Sequence, residues 1–451
     1  MKNIWKFGLL LVVAVVAILF FINYPRLNII TGFAAKNTCS CIFEAGRDLA
    51  SIEAEDNDFS PVNLATNKVN SSAKTVTSTV FGLKPRTAAY FEGAGCVLLS
   101  EDQEDQKEPF AFSFKPVRII AENPGPYPYG SGDPKDTVFS NLDLPAIETA
   151  IQNAFDKEGE VKQRSRAIVV LYKGQLIAEK YAPGITPETK LLGWSMTKSI
   201  TSSVLGVLEK QGKISLDQNN LFKEWEGDER AFITLNNLLQ MNSGLEWVED
   251  YETISDVTRM LFLEPDMTRV QLTKPIAGER GNTWNYSSGT SNLLTGFIRD
   301  QFNSHQEYLD FWYAEVVDKI GMHSMTIEMD PSGNYVGSSY SWASARDWAK
   351  FGQLYLNKGN RNGEQILNQS WVNYSATPVE GSAGEYGAHF WLNAGGKYPN
   401  VPRDLFSANG FQGQHVFIIP SKDLVVVRFG LAEHPDFDVD SLLKNIISAI
   451  K

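Results

Sequence analysis

The chain has 451 residues, of which 43% are hydrophobic and 21% are charged, and its formal net charge is -12. These proportions are ordinary for folded proteins, so extensive disorder and collagen-like or coiled-coil architectures are excluded. The length suits one large domain and a smaller one. The negative charge would repel a phosphate backbone, and nucleic acid is therefore not an expected partner.

An apolar run, Phe7–Ile22, follows Lys2 and Lys6 near the amino terminus. Basic residues before an uninterrupted aliphatic run are typical of a signal peptide or a signal anchor. A membrane-spanning helix needs about 20 apolar residues, and this run reaches that length only with its flanks, so both interpretations stay open. We favour an uncleaved anchor over residues 1–28, because no small-x-small cleavage site lies close behind the run. The sequence thus predicts an envelope protein that is held to the membrane with its folded domains outside the cytoplasm, or one that is secreted after signal cleavage.

Residues 29–115 combine short β-prone pieces with acidic and Ser/Asn-rich stretches, which indicates a small N-terminal module of unknown role. All three cysteines, Cys39, Cys41 and Cys96, lie in this module. One disulfide between Cys96 and either of the other two can form in an oxidising compartment, and the odd number leaves one thiol over. A metal site is not expected there, because no histidine is near and no metal-binding spacing occurs.

A Pro/Gly-rich segment, residues 116–140, follows this module. Its stretch AENPGPYPYGSGDPKD contains too many prolines and glycines for a helix or a central strand. We therefore predict a linker there and a second domain over residues 141–451.

Two pairs of β-rich runs and a terminal helix frame the second domain. The first pair is Ala167–Tyr172 with Leu176–Tyr181, and the second is His415–Ile419 with Leu424–Phe429. A short turn joins the runs of each pair, which is typical of a β-hairpin. Apolar residues recur at i, i+3, i+4 and i+7 over Val439–Ile450, as on one face of a helix. We expect this helix to pack on a sheet whose strands come from both ends of the domain.

The tetrad Ser195-Met196-Thr197-Lys198 has S-x-x-K spacing and opens a predicted helix that runs to Gln211. A serine is a weak nucleophile until a base takes its proton, and residues three apart lie on one helix face, so Lys198 can reach Ser195. Burial would favour the neutral lysine that such a base requires. The spacing alone is weak evidence, since a capping serine beside a solvated lysine shows it too. The same spacing recurs at Ser71/Lys74, Ser441/Lys444 and Ser448/Lys451.

A second motif, WNYSSG over Trp284–Gly289, lies between a Gly-rich turn and an apolar helix. A tyrosine held near a lysine can pass a proton by alternating between phenol and phenolate. The alternative is a core tyrosine at a turn between a loop and a helix. Tyr286 is therefore the candidate partner of Ser195 and Lys198.

Four segments, in order, resemble the signatures of class C beta-lactamase-type serine hydrolases. This family includes beta-lactamases, D-alanyl-D-alanine peptidases, esterases and 6-aminohexanoate-dimer hydrolases, and the resemblance covers roughly residues 140–451. It implies an α+β fold of the beta-lactamase/transpeptidase type, in which an antiparallel sheet flanked by helices lies beside an all-helical part. The active site would occupy the cleft between those parts. The segments are Leu192–Asp217, Ile233–Leu245, Trp284–Gly289 and Gly410–Pro420.

The resemblance also implies a role for each residue of the site. Ser195 would be the acylated nucleophile, with its backbone N–H forming half of the oxyanion hole, and Lys198 would be the base. Tyr286 would pass the proton to the leaving group and help to activate the deacylating water. No cofactor and no metal is expected.

Two departures from the family pattern concern substrate recognition. Ser288 replaces the asparagine of the tyrosine motif, and this Y-x-S form resembles the 6-aminohexanoate-dimer hydrolase and esterase branch. The third motif, normally K-T-G or H-x-G, is predicted at Ala408-Asn409-Gly410, and a register shifted to Phe411-Gln412-Gly413 would be equally uncharged. Without a cation, recognition of a penicillin-like carboxylate is disfavoured. We expect small neutral esters and linear amides as substrates.

Other candidate substrate-binding residues are Tyr251 and Trp391. Tyr251 follows Glu249 in a loop that shapes the substrate groove in this family, although a solvated acidic loop is the alternative. Trp391 would line the cleft or pack in the core. His389 and His415 are expected to be structural or adjacent to the site, since a lysine and a tyrosine already fill the base roles.

The competing interpretations differ in class. The first is a hydrolase of small ester, amide or peptide substrates, and the second is a catalytically degenerate envelope-binding module. The intact Ser195, Lys198 and Tyr286 favour the enzyme. Among enzymes the alternative is a penicillin-binding D-alanyl-D-alanine peptidase of cell-wall peptides, which the predicted envelope location favours and the uncharged third motif disfavours.

Overall fold

A computed structural model describes residues 24–100, 113–121, 123–432 and 436–451. The predicted anchor run, Phe7–Ile22, lies outside these residues. Within them, no helix has both the length and the apolar character that crossing a membrane requires.

The described chain divides into two units. The first contains residues 24–91, 96–100 and 250–265, and the second contains the remaining described residues. Residues 250–265, which the sequence-based division included in 141–451, therefore pack with the first unit.

The first unit is a four-stranded sheet with a long helix packed on it. Strands β1 (Ala65–Asn70), β2 (Thr75–Val80), β3 (Leu83–Phe91) and β4 (Gly95–Leu98) lie side by side in chain order. Buried and half-buried side chains alternate along β2, because one face of the sheet is covered. The helix Arg26–Phe43 packs against β2 and β3. The helices Leu49–Ala54 and Asp256–Leu263 and the 3-10 turn Val62–Leu64 complete the unit.

Cys39 of the long helix and Cys96 of β4 form a disulfide, with their Cα atoms 6.0 Å apart. Of the two pairings that the sequence left open, the structure has the one with Cys39. Cys41 remains a buried thiol, with its Sγ 3.9 Å from Oδ1 of Asn37. The bond ties the long helix to the sheet.

The second unit contains long strands near both of its chain ends and short ones between them. Those described are β5 (Ser165–Tyr172), β6 (Gln175–Tyr181), β7 (Leu191–Leu192), β8 (Thr326–Ile327), β9 (Ser341–Ala343), β10 (Asn360–Arg361), β11 (Glu364–Gln365), β12 (Trp391–Leu392), β13 (Phe406–Gly410), β14 (Gln414–Ile419) and β15 (Leu424–Gly430).

An antiparallel sheet in the order β12-β13-β14-β15-β5-β6 is the frame of the second unit. Within this sheet β5 pairs with β15, with Tyr172 opposite Leu424. Both predicted hairpins, β5–β6 and β14–β15, are confirmed. Smaller sheets have the orders β7-β9-β8 and β10-β11. The predicted α+β fold with an antiparallel sheet is therefore confirmed.

Helices cover both faces of the large sheet, which explains why β5 is buried along its whole length. On one face, the helices Val439–Ser448 and Leu144–Asn153 share an apolar core with the sheet, as the spacing of the terminal helix predicts. On the other face, the helix Ala345–Leu356 lies against β14 and β15. Gly352 permits this approach, because a Cβ there would lie 2.6 Å from Cγ1 of Val425.

The remaining helical segments of the second unit lie between β6 and β12 along the chain, except for the short turn Pro420–Lys422. They are the helices Thr197–Lys210, Leu235–Leu239, Ser288–Arg299, His305–Trp312, Asp318–Ile320 and Gln369–Ser375, the π-helical turn Tyr313–Val317, and the 3-10 turns Trp194–Met196, Lys223–Trp225, Glu229–Phe232, Met267–Arg269, Gln271–Thr273 and Pro420–Lys422.

Candidate active site

Ser195 lies in a 3-10 turn directly ahead of the helix Thr197–Lys210. The preceding residue, Trp194, has a left-handed backbone with φ +46. Such a conformation costs a non-glycine residue about 1–3 kcal/mol and is often found at active sites. The Trp194 ring packs against Tyr340 and Phe411, with centroid distances of 6.0 and 5.6 Å, and these contacts hold the turn. Ser195 is thereby placed at the helix start, where the helix dipole favours developing negative charge.

Lys198 is buried one helical turn further on, with 2% of its surface exposed. Its Nζ lies 2.9 Å from each of three oxygen atoms, namely Ser195 Oγ, Ser288 Oγ and the main-chain oxygen of Ser338. Burial lowers the pKa of Lys198 to about 8, while the negative charge of Glu249 acts in the opposite direction. Part of the population therefore has a neutral amine near neutral pH, as a general base requires.

Tyr286 lies beside Lys198, whose Nζ is 5.0 Å from the centre of the phenol ring. Burial raises the pKa of Tyr286 above its usual value, and the charge of Glu249 raises it further. Hydrogen bonding with Ser195 and Trp391 lowers that pKa and so partly offsets the increase. The tyrosine is accordingly a neutral phenol in contact with the nucleophile, and it is placed to hand a proton onward.

Ser288 connects Lys198 to Glu249. Its Oγ donates to Oε1 of Glu249 at 2.5 Å, and its backbone N–H donates to Oε2 at 2.9 Å. Trp247 also donates to Oε2 through its indole Nε1 at 2.5 Å. Ser288 is fully buried and Glu249 is half-buried. The sequence places Glu249 only in a groove-shaping loop, and its contact with Ser288 was not predicted.

The third motif, Ala408-Asn409-Gly410, lies on β13 beside the turn that carries Ser195. A Cβ at Gly410 would lie 2.2 Å from the carbonyl oxygen of Gly193, so only glycine permits this approach. Gly413, the glycine of the shifted register, lies against Arg428 instead, and this difference favours the register at 408–410. Because side chains alternate along a strand, Ala408 and Gly410 face one side of the sheet and Asn409 faces the other. Ala408 is buried, with 1% exposure.

The two histidines hold neighbouring groups in place. His415 Nδ1 lies 2.9 Å from Oδ1 of Asn409, and His389 lies between the carbonyl oxygen of Leu239 at 2.9 Å and Oγ of Ser291 at 3.0 Å. Burial is the main cause that lowers the pKa of both imidazoles to about 3, so both are neutral at physiological pH. These fixed, neutral rings have the structural placement that the sequence predicts.

Trp391 is half-buried and forms an aromatic wall beside the phenol of Tyr286. Their ring centroids are 5.1 Å apart, and Tyr386 lies 5.2 Å from Trp391 in an edge-on orientation. The second unit thus brings together the predicted Ser195, Lys198, Tyr286, Ser288 and Trp391 and the 408–410 motif. Tyr251 belongs to the first unit.

Two contributors to the site have no signal in the sequence. Ser338 acts through its main-chain carbonyl, which any residue could supply. Trp194 matters through its backbone conformation, which becomes visible only once the turn is built. Within the described residues, no group of histidines, cysteines and carboxylates has the arrangement of a metal site.

The chain is similar in sequence to known proteins. The family model described as Beta-lactamase matches residues 151–450. Over 295 residues the chain is 24% identical to a 6-aminohexanoate-dimer hydrolase from Paenarthrobacter ureafaciens, a match that covers 60% of this chain and 73% of that protein.

Solved structures show the same fold. A family VIII carboxylesterase has a TM-score of 0.55 and 15% identity, over 70% of this chain and 98% of that one. A penicillin-binding protein homolog from Caulobacter crescentus has a TM-score of 0.51 and 13% identity, again over 70% of this chain and 98% of that one. Because the family model spans most of the second unit and more than half of the sequence, the chain belongs to the Beta-lactamase family and is a hydrolase.

Proposed function

We propose that this protein is a serine hydrolase that cleaves ester or amide bonds of small substrates through an acyl-enzyme at Ser195. The observation that carries the proposal is the hydrogen bond of 2.9 Å between Ser195 Oγ and Nζ of a buried lysine whose pKa is lowered to about 8. A solvated lysine beside a capping serine would show neither the burial nor the lowered pKa.

In the proposed reaction, neutral Lys198 takes the proton of Ser195 as Oγ attacks the substrate carbonyl carbon. The oxyanion that develops is stabilised by the backbone N–H of Ser195 at the start of the helix. Tyr286 passes a proton to the leaving alcohol or amine as the scissile bond breaks. A water molecule then attacks the acyl-enzyme, again with Lys198 and Tyr286 moving the proton, and frees Ser195.

The proposed substrates are neutral esters and linear amides. The position that carries a lysine or histidine in the third motif of the family is the buried Ala408, so a cation is absent there. Lys397 lies 5.7 Å from the ring of Trp391, but Glu385 engages it at 3.1 Å. The aromatic wall of Trp391 and Tyr286 suits an uncharged chain. The relatives named as an aminohexanoate-dimer hydrolase and a carboxylesterase support this class.

Labelling with a serine-reactive fluorophosphonate, followed by mapping of the modified peptide, tests the nucleophile. We expect the label on Ser195, full loss of labelling in Ser195→Ala, and normal labelling in Ser441→Ala. Labelling at another serine would contradict the proposal. A protein that folds but takes no label would favour the degenerate binding module.

Matched substrates test the specificity. We expect a neutral acyl ester to be hydrolysed at least as fast as its free-carboxylate analogue, and beta-lactams to be hydrolysed slowly. A preference for the carboxylate analogue that weakens steeply with salt would contradict this expectation and would indicate that another cation binds the substrate.

We also propose that the protein resides in the cell envelope. The apolar run Phe7–Ile22 behind two lysines supports this location, as does the disulfide between Cys39 and Cys96, since such bonds persist in oxidising compartments. Deleting residues 1–28 should convert a carbonate-resistant membrane protein into a soluble one. A full-length protein that is soluble after export would instead indicate a cleaved signal peptide.

A further inference from the structure

The hydrogen bonds around Lys198 can be assigned donors and acceptors as well as distances. A neutral amine has two N–H donors and one lone pair. The carbonyl oxygen of Ser338 can only accept, so it takes one N–H of Lys198. Ser288 has a single O–H, which it donates to Glu249, so only its lone pairs face the amine and it takes the second N–H. The remaining lone pair of Nζ then faces the hydroxyl proton of Ser195.

We propose that Glu249 is a positioning residue of the hydrolase, which keeps the Ser288 hydroxyl turned away from Lys198 so that the lysine lone pair stays directed at Ser195. This inference rests on the proposed function of the same site. Without an acceptor at Glu249, the Ser288 hydroxyl could donate to Nζ and compete with Ser195 for the lone pair. Because Glu249 also accepts from Trp247 and from the backbone N–H of Ser288, its carboxylate is held in a single orientation.

The same carboxylate favours proton uptake. When the Ser195 proton moves to Nζ, an ammonium forms in a buried place, and a nearby negative charge stabilises it. In agreement, the charge of Glu249 raises the pKa of Lys198 against the effect of burial. The other titratable groups that face Lys198 are Tyr286 and His389, and both are neutral near neutral pH. A shift in the pKa of Lys198 when Glu249 is replaced can therefore be attributed to the loss of the Glu249 charge.

The test compares Glu249→Gln with Glu246→Gln. Glu246 is an exposed carboxylate in the same loop, so its variant removes the same charge without touching the site. For each variant, kcat and KM are measured on a chromogenic ester across the pH range. In Glu249→Gln we expect kcat to fall at least tenfold with little change in KM, and the acid limb of kcat/KM to move to lower pH by about one unit or more. Glu246→Gln should follow the wild type.

Ser288→Ala is the next variant in this test. It removes the acceptor of the second N–H of Lys198, which helps to direct the lone pair at Ser195, but it keeps the charge of Glu249. We therefore expect kcat to fall while the acid limb stays near its wild-type position. The double variant should be no slower than the slower single variant, because the two residues act as one unit. If Glu249→Gln does not fold, Ser288→Ala carries the test.

An unshifted acid limb together with wild-type kcat in Glu249→Gln, or wild-type kcat in Ser288→Ala, would overturn the inference. These outcomes differ from failure of the proposed function. If wild-type Ser195 takes no fluorophosphonate, the hydrolase proposal falls, whereas a labelled wild type with unaltered Glu249 and Ser288 variants removes only the role of Glu249.

Discussion

The same S-x-x-K spacing occurs in two described helical regions with opposite surroundings. At Ser195/Lys198 the lysine is 2% exposed and bonded to the serine at 2.9 Å. At Ser441/Lys444 both side chains are exposed, and Ser441 donates instead to Oδ2 of Asp438 at 2.7 Å. The first pair is arranged for proton transfer, whereas the second contributes to the start of a helix.

The comparison shows that burial, not spacing, distinguishes the two pairs. Burial lowers the pKa of Lys198 to about 8 because the charged form loses its hydration. An exposed lysine stays hydrated and protonated, so it cannot serve as a base near neutral pH.

Replacing the serines should separate the two pairs most clearly. We expect Ser195→Ala to reduce ester hydrolysis by about a thousandfold or more, since the nucleophile is lost, while thermal unfolding stays close to that of the wild type. Ser441→Ala should retain wild-type kcat/KM. Activity in Ser195→Ala equal to the wild type would remove Ser195 from the mechanism.

Replacing Lys198 and Tyr286, the partners of Ser195, should show whether the two residues work together. Lys198→Ala and Tyr286→Phe are each expected to lose roughly a hundredfold to ten-thousandfold in kcat, as for general acid–base groups. The double variant should be little worse than the worse single variant, because both act in one proton transfer. Losses that multiply would argue for independent roles. Lys444→Ala is the matched control and should be unaffected.

The pH profile should follow the buried lysine. Lys198 must be neutral to accept a proton, so kcat/KM should rise about tenfold per pH unit below pH 8 and level off above it, in line with a pKa of about 8. Initial rates between roughly pH 6 and pH 9, corrected with Ser195→Ala as the blank, measure this rise. A flat profile over that range would mean that another group with a lower pKa is the base.

The smallest effect is expected at the terminal helix. Asp438 caps the helix Val439–Ser448 by accepting from the backbone N–H of Ser441 at 3.0 Å. Asp438→Ala should lower the free energy of unfolding by about 1 kcal/mol through loss of this cap, with no change in kcat/KM. Chemical denaturation measures the free energy of unfolding, and ester hydrolysis measures kcat/KM. A loss of activity without a loss of stability would contradict the assignment of this region to stability alone.

Local patterns account for the parts of the fold that were predicted. The hairpins β5–β6 and β14–β15 and the terminal helix were predicted because period-2 and period-3.6 patterns are visible in short windows. The approach of Lys198 to Ser195 follows from helix geometry in the same way. The family resemblance located Tyr286, which lies 88 positions after Lys198, and no local pattern could do this.

Long-range packing accounts for what was missed. The placement of residues 250–265 with the first unit depends on helix packing between segments far apart in sequence. The link from Ser288 to Glu249 joins residues 39 positions apart, and the carbonyl of Ser338 has no side-chain signal. Such contacts are set by tertiary structure, and single-sequence patterns do not encode them.

The pairing of β5 with β15 has a consequence for how the protein is made. The ribosome completes Tyr172 long before it reaches Leu424, the residue opposite it in the sheet. At ordinary elongation rates of about 5–20 residues per second, this interval lasts roughly 12–50 seconds. During that time β15 is not yet available to pair with the apolar strand β5. An exposed edge of an apolar β-strand can nucleate aggregation. We therefore expect early pairing of β5 with β6 to limit the exposure of β5 until the late strands emerge.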